Sequence, residues 1–188
     1  MSDLEKRNID ERFTLWQRNV RDQYKNIPTE AIKASLRETA FPAAILMSQI
    51  EGDFNIGSVI RSANNFNFSK VFYYGKKRYD KRSACGVYNY TDVIHISSME
   101  EIISLKNEYE FVALENNITK IVPIKDFVWK KNSMIVVGEE NAGIQQDVLS
   151  ICNKYIEIPS MGSVRSLNAA VAASIAMYDY INKFSCPS

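Results

Sequence analysis

The chain has 188 residues, of which 46% are hydrophobic and 24% are charged, and its formal net charge at pH 7 is +1. This composition excludes a disordered or fibrous protein, and the length fits one domain with a short extension better than two domains. The near-zero net charge also excludes nucleic-acid binding through the overall electrostatic field, so any such binding needs a local cluster of cations.

The N-terminal sequence and the longest apolar run argue against export and against a membrane segment. MSDLEKRNIDERF carries charges throughout and lacks the apolar stretch of a signal peptide, and residues 169–178 are too few to span a bilayer. Cys85, Cys152 and Cys186 are far apart, and the single histidine, His95, does not complete a zinc-ligand pattern. We therefore expect a cytoplasmic protein without a metal or a disulfide framework.

Two helices are predicted before the first strand. Residues 11–25 place aromatic and apolar side chains at helical spacing. Pro28 then opens a second, short helix that ends near Thr39. We assign residues 1–40 to a helical N-terminal extension and residues 41–188 to the main domain.

Beyond residue 42, short apolar runs alternate with helical stretches, which indicates an α/β domain with a mostly parallel sheet and helices on both faces. The predicted strands are AAILMSQ, KVFYY, VIHI, EFVAL, MIVVG and YIEIP. The predicted helices cover residues 56–66, 99–108 and 144–152, and a final helix begins near Ser166. Ligands bind beyond the carboxyl ends of the strands in such sheets, so the turns after the strands are candidate sites.

The turn after the first strand contains an arginine that a structural role does not easily explain. Asn55 and Gly57 lie at the junction of strand and helix, and Asn55 could serve only as a helix cap. Arg61 follows Gly57 by four residues and therefore returns to nearly the same helix face. A permanent cation is thereby directed toward the ligand side of the sheet.

Two further turns combine glycine with polar side chains. Residues 138–143 have a glycine at each end of an acidic segment, which permits close approach of a ligand but also suits an ordinary turn. Residues 158–168 include Gly162 for a bend and Ser166 as a candidate N-cap of the final helix.

A basic cluster follows the second predicted strand. Its cations surround Tyr79 and are Lys76, Lys77, Arg78, Lys81 and Arg82. Most charge clusters are solvated surface, but this one lies at the edge of the sheet where the candidate turns also lie. It could there contact several phosphates of an RNA.

Together and in this order, the three turns resemble the motifs of SpoU/TrmH-type RNA methyltransferases of the SPOUT superfamily. The matching patterns are N-x-G-x-x-x-R from Asn55, G-x-E-x-x-G from Gly138 and I-P-x-x-G-x-x-x-S-L-N from Ile158. The resemblance covers roughly residues 43–184. It implies an α/β fold with a C-terminal trefoil knot, which sequence periodicity cannot reveal, and S-adenosylmethionine as the cofactor.

The resemblance also implies roles for single residues. Arg61 would act on a ribose 2′-hydroxyl, either as a base or by clamping a phosphate and polarising the hydroxyl, since arginine is effectively always protonated. The residues implied to complete the active site are Asn55, Glu140, Ser166 and Asn168. The residues implied to bind the cofactor are Leu114, Glu115, Gly138, Ile158, Met161 and Leu167.

A homodimer with shared active sites is a further implication of the resemblance. The final helix fits this expectation because it carries more apolar surface than a small domain obviously covers, namely Tyr178, Tyr180, Ile181 and Phe184. Packing of this surface against the N-terminal helix is the alternative.

The predicted function is S-adenosylmethionine-dependent methylation of a ribose 2′-hydroxyl in tRNA or rRNA. Two alternatives stay open, namely a SPOUT enzyme that methylates a base and an RNA-binding protein that keeps the fold without catalysis. A base methylase with a cysteine nucleophile fits least, because neither Cys85 nor Cys152 has a neighbouring base in the sequence.

Overall fold

The computed structural model describes residues 20–49, 53–116, 118–139 and 142–185. Most of the predicted first helix lies outside these residues, and its described end is a 3-10 turn at Asp22–Tyr24. The predicted second helix is confirmed as α1, Thr29–Thr39, which begins directly after Pro28. Proline suits this place because its fixed φ and missing N–H cost nothing at a helix start.

The described residues contain a seven-stranded sheet in which every pairing is parallel. The strands are β1 Phe41–Ser48, β2 Phe68–Tyr74, β3 Val93–Ile96, β4 Glu110–Leu114, β5 Val122–Pro123, β6 Ser133–Val137 and β7 Lys154–Glu157. Their spatial order is β3-β2-β1-β6-β4-β7-β5. The predicted strands are confirmed to within a few residues, whereas β5 is too short to give an apolar run and was missed.

The remaining helices are α2 Asp53–Asn65, α3 Met99–Ser104, α4 Gln146–Ser150 and α5 Ala169–Ser185. Asn55 lies inside the first turn of α2, so its interpretation as a helix cap is wrong. The prediction that Ser166 caps the final helix is also wrong. Asn168 has that role, because its Oδ1 accepts hydrogen bonds from the N–H groups of Ala170 (3.0 Å) and Val171 (3.3 Å).

Helices cover both faces of the sheet, as the sequence predicts. Alternate residues of β1 point to opposite sides: Ala43, Ile45 and Met47 join the core beneath α2 and α5, while Ala44 and Leu46 join the core beneath α3 and α4. A strand buried on both faces needs apolar side chains at successive positions, which explains the unbroken run AAILM.

Tyr180 of α5 is fully buried, which corrects the prediction that it belongs to an exposed apolar surface. Its ring packs against several aromatic rings and its hydroxyl donates a 2.6 Å hydrogen bond to the carbonyl of Lys131. Burial raises the pKa of Tyr180 to about 12. Ile181 and Phe184 are half-buried against the same core, so only Tyr178 of the predicted set is exposed.

The exposed apolar face of α5 consists of Val171, Ile175 and Tyr178, whose side chains are 48%, 37% and 57% exposed. Their spacing of four and three residues places them in one stripe along the helix. We call these three residues the α5 stripe. No helix among the described residues is both long and apolar enough to cross a membrane.

Candidate active site

The candidate turns follow strands that are neighbours in the sheet. The order β1-β6-β4-β7 brings together the start of α2, residues 138–143, the segment after β4 and residues 158–168. All these strands are parallel, so their carboxyl ends lie at one edge of the sheet. The topology thus collects the predicted motifs at one place.

A hydrogen bond joins the first motif to the third. Asn168 Nδ2 donates to Asn55 Oδ1 over 3.0 Å, although the two residues are 113 positions apart. The other end of the Asn168 amide caps α5. A single side chain therefore orients Asn55 and fixes the start of the final helix, and both contacts agree with one orientation of the amide.

Arg61 lies on the exposed side of α2 and contacts a cysteine. Its Nη1 donates to Cys85 Sγ over 3.4 Å. One helical turn earlier, Gly57 is buried under the 3-10 turn Lys81–Ala84. A Cβ at position 57 would lie 2.0 Å from Ser83 Oγ and 2.8 Å from the Ala84 nitrogen, so only glycine permits this approach.

The second motif folds back on itself. Glu139 and Gly143 exchange backbone hydrogen bonds of 3.2 and 2.8 Å. A Cβ at Gly138 would lie 2.1 Å from the Gly143 carbonyl carbon, so the turn itself requires this glycine. The predicted active-site residue Glu140 lies outside the described residues.

The segment after β4 is hydrogen-bonded to both neighbouring turns. The Glu115 carboxylate accepts hydrogen bonds from the N–H of Ile144 (3.1 Å) and from the N–H of Asn116 (2.9 Å). The Asn116 side chain donates to the carbonyl of Arg165 over 2.6 Å. Asn116 was missed by the sequence analysis, although the run ENN directly after EFVAL marks a polar strand end.

The third motif is exposed at every residue from Pro159 to Asn168. Met161 and Leu167 are apolar and yet 93% and 42% exposed. Ser166 is also exposed, whereas Leu114 and Ile158 are half-buried at the ends of β4 and β7. Exposed apolar side chains beside a polar turn are typical of a surface that a ligand or a second chain covers.

The predicted basic cluster is exposed throughout, but its members differ in their surroundings. Arg82 pairs with Asp80 and lies over the ring of Phe54, with 5.6 Å from its Cζ to the ring centroid. Lys81 lies over the ring of Tyr88. Lys81 and Arg82 thus each have a partner within the protein.

Cys152 does not behave as an activated nucleophile would. Cys152 is buried and donates to the carbonyl of Val148, and burial raises the pKa of its thiol to about 12. A thiol in this environment stays protonated and unreactive near neutral pH. Among the described residues, no cluster of three or more His, Cys, Asp or Glu side chains is arranged to hold a metal ion.

Comparison with known proteins identifies the family. Residues 42–178 match the sequence model of the SpoU rRNA Methylase family. The chain belongs to this family. A TrmH family tRNA/rRNA methyltransferase assigned in Staphylococcus epidermidis is 24% identical over 86% of this chain and 66% of its own length. The chain thus spans somewhat less than two thirds of that relative.

Solved structures of SpoU proteins share the fold. The SpoU methyltransferase AviRb from Streptomyces viridochromogenes, solved with the cofactor AdoMet, has a TM-score of 0.70 at 23% identity, over 77% of this chain and 58% of its own. The A. aeolicus TrmH/SpoU tRNA modifying enzyme has a TM-score of 0.71 at 22% identity, over 85% of this chain and 89% of its own. The predicted α/β class and parallel sheet are confirmed.

Proposed function

We propose that this protein transfers a methyl group from S-adenosylmethionine to a ribose 2′-hydroxyl of tRNA or rRNA. The observation that carries the proposal is the hydrogen bond between Asn55 and Asn168. It unites the helix that bears Arg61 with the turn that follows β7. The side of the site assigned to the RNA and the side assigned to the cofactor are thereby held in contact, which favours the proximity that a methyl transfer needs.

The edge formed by β6, β4 and β7 fits S-adenosylmethionine. Leu114 and Ile158 supply half-buried apolar surface, and the exposed side chains of Met161 and Leu167 would be covered by an adenosine. The backbone of Gly138, Ile158 and Leu167 would hold its polar edge. The bound cofactor supplies a methyl group that is attached to a sulfonium. The leaving group is a neutral thioether, so no metal is needed to stabilise it.

Arg61 would bind the RNA on the other side of the site. A guanidinium stays protonated in proteins, so we assign to Arg61 the binding of an RNA phosphate and the polarisation of the 2′-hydroxyl. Asn55 and Asn168 would orient the ribose, with Ser166 and Glu140 completing the site as the resemblance implies. The exposed Lys77 and Arg78, after β2, would contact neighbouring phosphates.

A second copy of the chain is part of this proposal. The α5 stripe and the exposed third motif adjoin each other, because α5 begins where the motif ends. Burying both against a symmetric copy would remove their apolar side chains from water and close the cofactor edge. The trefoil knot stays a prediction. The Glu115 carboxylate accepts a hydrogen bond from the Ile144 N–H and the Asn116 side chain donates to the Arg165 carbonyl, so the segment after β4 is tied to both neighbouring turns.

Methyl transfer to RNA tests this function directly. The purified protein, with a chelator present, is incubated with methyl-labelled S-adenosylmethionine and with tRNA or rRNA from cells that lack the gene. Nucleoside analysis by mass spectrometry should show a 2′-O-methylated nucleoside. A base-methylated nucleoside would favour the base-methylase alternative, and RNA binding without any transfer would favour the binding protein.

A matched pair of variants tests the observation itself. Asn168→Asp keeps an oxygen that caps α5 and removes the Nδ2 donor to Asn55, whereas Asn168→Ala removes both. We expect both variants to lose activity but only Asn168→Ala to lose about 1 kcal/mol of stability with its helix cap. Full activity of Asn168→Asp would show that the bond to Asn55 has no part in the reaction.

A further inference from the structure

The turn Asp80–Gly86 packs along one stripe of α2. The Arg82 guanidinium covers the ring of Phe54, Ser83 and Ala84 lie against Gly57, and Cys85 accepts a hydrogen bond from Arg61. Positions 54, 57 and 61 share one face of the helix, since they are separated by three and four residues. The turn therefore follows the helix for two full turns and ends at the arginine.

The turn is fixed by its own hydrogen bonds. Asp80 Oδ1 accepts from the backbone N–H of Arg82 over 2.9 Å, and the same carboxylate binds the Arg82 guanidinium. Cys85 and Gly86 follow with φ angles of 48° and 81°, both in the left-handed region. These two residues turn the chain sharply, and they leave the thiol next to Arg61.

We propose that the turn Asp80–Gly86 positions the Arg61 guanidinium for methyl transfer, with Cys85 as the positioning residue. This inference rests on the proposed action of Arg61 on the RNA. An exposed arginine has many rotamers, and ordering it during the reaction would cost conformational entropy. The thiol removes part of that freedom beforehand.

Sulfur suits this task because it is a weak acceptor. It occupies one of the several N–H donors of Arg61 and competes little with a phosphate for the others. The turn also ends the basic cluster, so an RNA strand bound to Lys77 and Arg78 would continue toward the arginine that the turn holds. Gly57 is what allows the turn to lie this close to α2.

A double-mutant cycle between positions 61 and 85 tests the proposal. Total methyl incorporation is measured in single turnovers at saturating RNA and cofactor, for the wild type, Cys85→Ala, Arg61→Lys and the double variant. We expect Cys85→Ala to lower the single-turnover rate about tenfold, as loss of a hydrogen bond to a charged group predicts, with little change in the KM for RNA measured separately in the steady state. Cys85→Ser keeps an acceptor and should restore most of the rate.

In the Arg61→Lys background, Cys85→Ala should have little further effect, because the guanidinium that it orients is gone. Equal losses in both backgrounds, or no loss in the wild type, would overturn the proposal. Cys152→Ala is the control for loss of a thiol elsewhere. It should lower the melting temperature without changing the rate of the folded protein.

A second measurement does not depend on activity. The guanidinium NMR signals of Arg61, recorded without RNA, should show restricted rotation in the wild type and faster averaging in Cys85→Ala. Unchanged signals would overturn the proposal. If the wild type methylates a base, or methylates nothing, the proposed function fails, while these signals still decide whether the turn holds the arginine.

Discussion

The first and third motifs meet in one hydrogen bond but differ in how the protein supports them. In the first, Gly57 is buried beneath the turn Lys81–Ala84, and an added Cβ would clash with it. In the third, a Cβ at Gly162 would meet nothing within 4 Å, and every residue from Pro159 to Asn168 is exposed. Two glycines of similar motifs thus have opposite surroundings.

This difference indicates which parts of the site are complete in one chain. The α2 side is packed by residues of the same chain, with Ser83 and Ala84 against Gly57. The third motif leaves Met161 and Leu167 in solvent, which is unfavourable unless another molecule covers them. We expect the first motif to be rigid before binding and the third to gain its order from the cofactor and a second subunit.

Removing the proposed catalytic group should have the largest effect. We expect Arg61→Ala to lower methyl transfer by about two to four orders of magnitude, because polarisation of the hydroxyl and phosphate binding are both lost. Cofactor affinity, measured by calorimetry, should change little, since Arg61 is assigned to the RNA and not to the cofactor. Near wild-type turnover in this variant would disprove the role assigned to Arg61.

Disrupting the α5 stripe should prevent the proposed dimer from forming and so leave the third motif uncovered. Ile175→Glu places a charge in the proposed interface and should convert a dimer to a monomer in sedimentation velocity at micromolar concentration. Val128→Glu is the matched control, because Val128 is apolar and 84% exposed but lies outside the stripe. A wild-type protein that sediments as a monomer and is fully active would refute the dimer.

Replacing each glycine by alanine should affect the stability of the protein differently in the two motifs. We expect Gly57→Ala to lower the free energy of unfolding by about 1–3 kcal/mol and to reduce activity, because the Cβ overpacks the turn above it. Gly162→Ala should stay within about 0.5 kcal/mol of the wild type, as for most surface changes. Thermal denaturation of both variants provides the comparison, and equal stabilities would contradict it.

Charge reversal beside the packed motif should weaken RNA binding moderately. Lys77→Glu combined with Arg78→Glu should reduce RNA affinity about tenfold and flatten its dependence on salt, because fewer phosphates are neutralised. Arg82 is left intact, since its pairing with Asp80 shapes the turn. An unchanged salt dependence would show that these cations are only solvated surface.

An ion pair far from both motifs should affect stability alone. Arg37 donates two hydrogen bonds to Asp92, at 2.8 and 2.7 Å, and with Lys33 it lowers the pKa of Asp92 to about 2. A lowered pKa stabilises the fold above the unfolded value of 3.8, and this contribution is lost as the pH falls toward 2. Solvent screening reduces it to about 1 kcal/mol.

Asp92→Asn should therefore lose about 1 kcal/mol at pH 7 and less at pH 2. Urea denaturation at a series of pH values measures the difference. Methyl transfer at saturating substrate should not change, because Asp92 belongs to neither motif. A variant as stable as the wild type at pH 7 would show that the ion pair contributes nothing.

The sequence predicted the strands better than the ends of the helices. Apolar runs identify β1 and β6 because a strand buried on both faces has no other composition available. The start of α5 was misplaced because Ser166 and Asn168 are both good caps, and only the contacts of Asn168 distinguish them. Tyr180 was predicted to be exposed, because the sequence around it does not reveal the aromatic core in which it is buried.

The motifs predicted the residues of the candidate site, but they did not predict all of the contacts among them. Asn55, Arg61 and Asn168 were identified from the resemblance, and the structure brings Asn55 and Asn168 together. The contact of Arg61 with Cys85 was not predicted, because it depends on how a turn packs on a helix 24 residues away in sequence. Sequence spacing carries no information on such packing.

The bond between Asn55 and Asn168 also has a consequence for the order of folding. It joins residues 113 positions apart, while the hydrogen bonds of Glu115 with Ile144 and of Asn116 with Arg165 join residues 29 and 49 positions apart. Closing so long a loop costs more chain entropy than pairing β1 with β2, whose partners are nearby in sequence. During refolding, the parallel sheet should therefore begin to form while the site is still open, and methyl-transfer activity should be among the last properties to return.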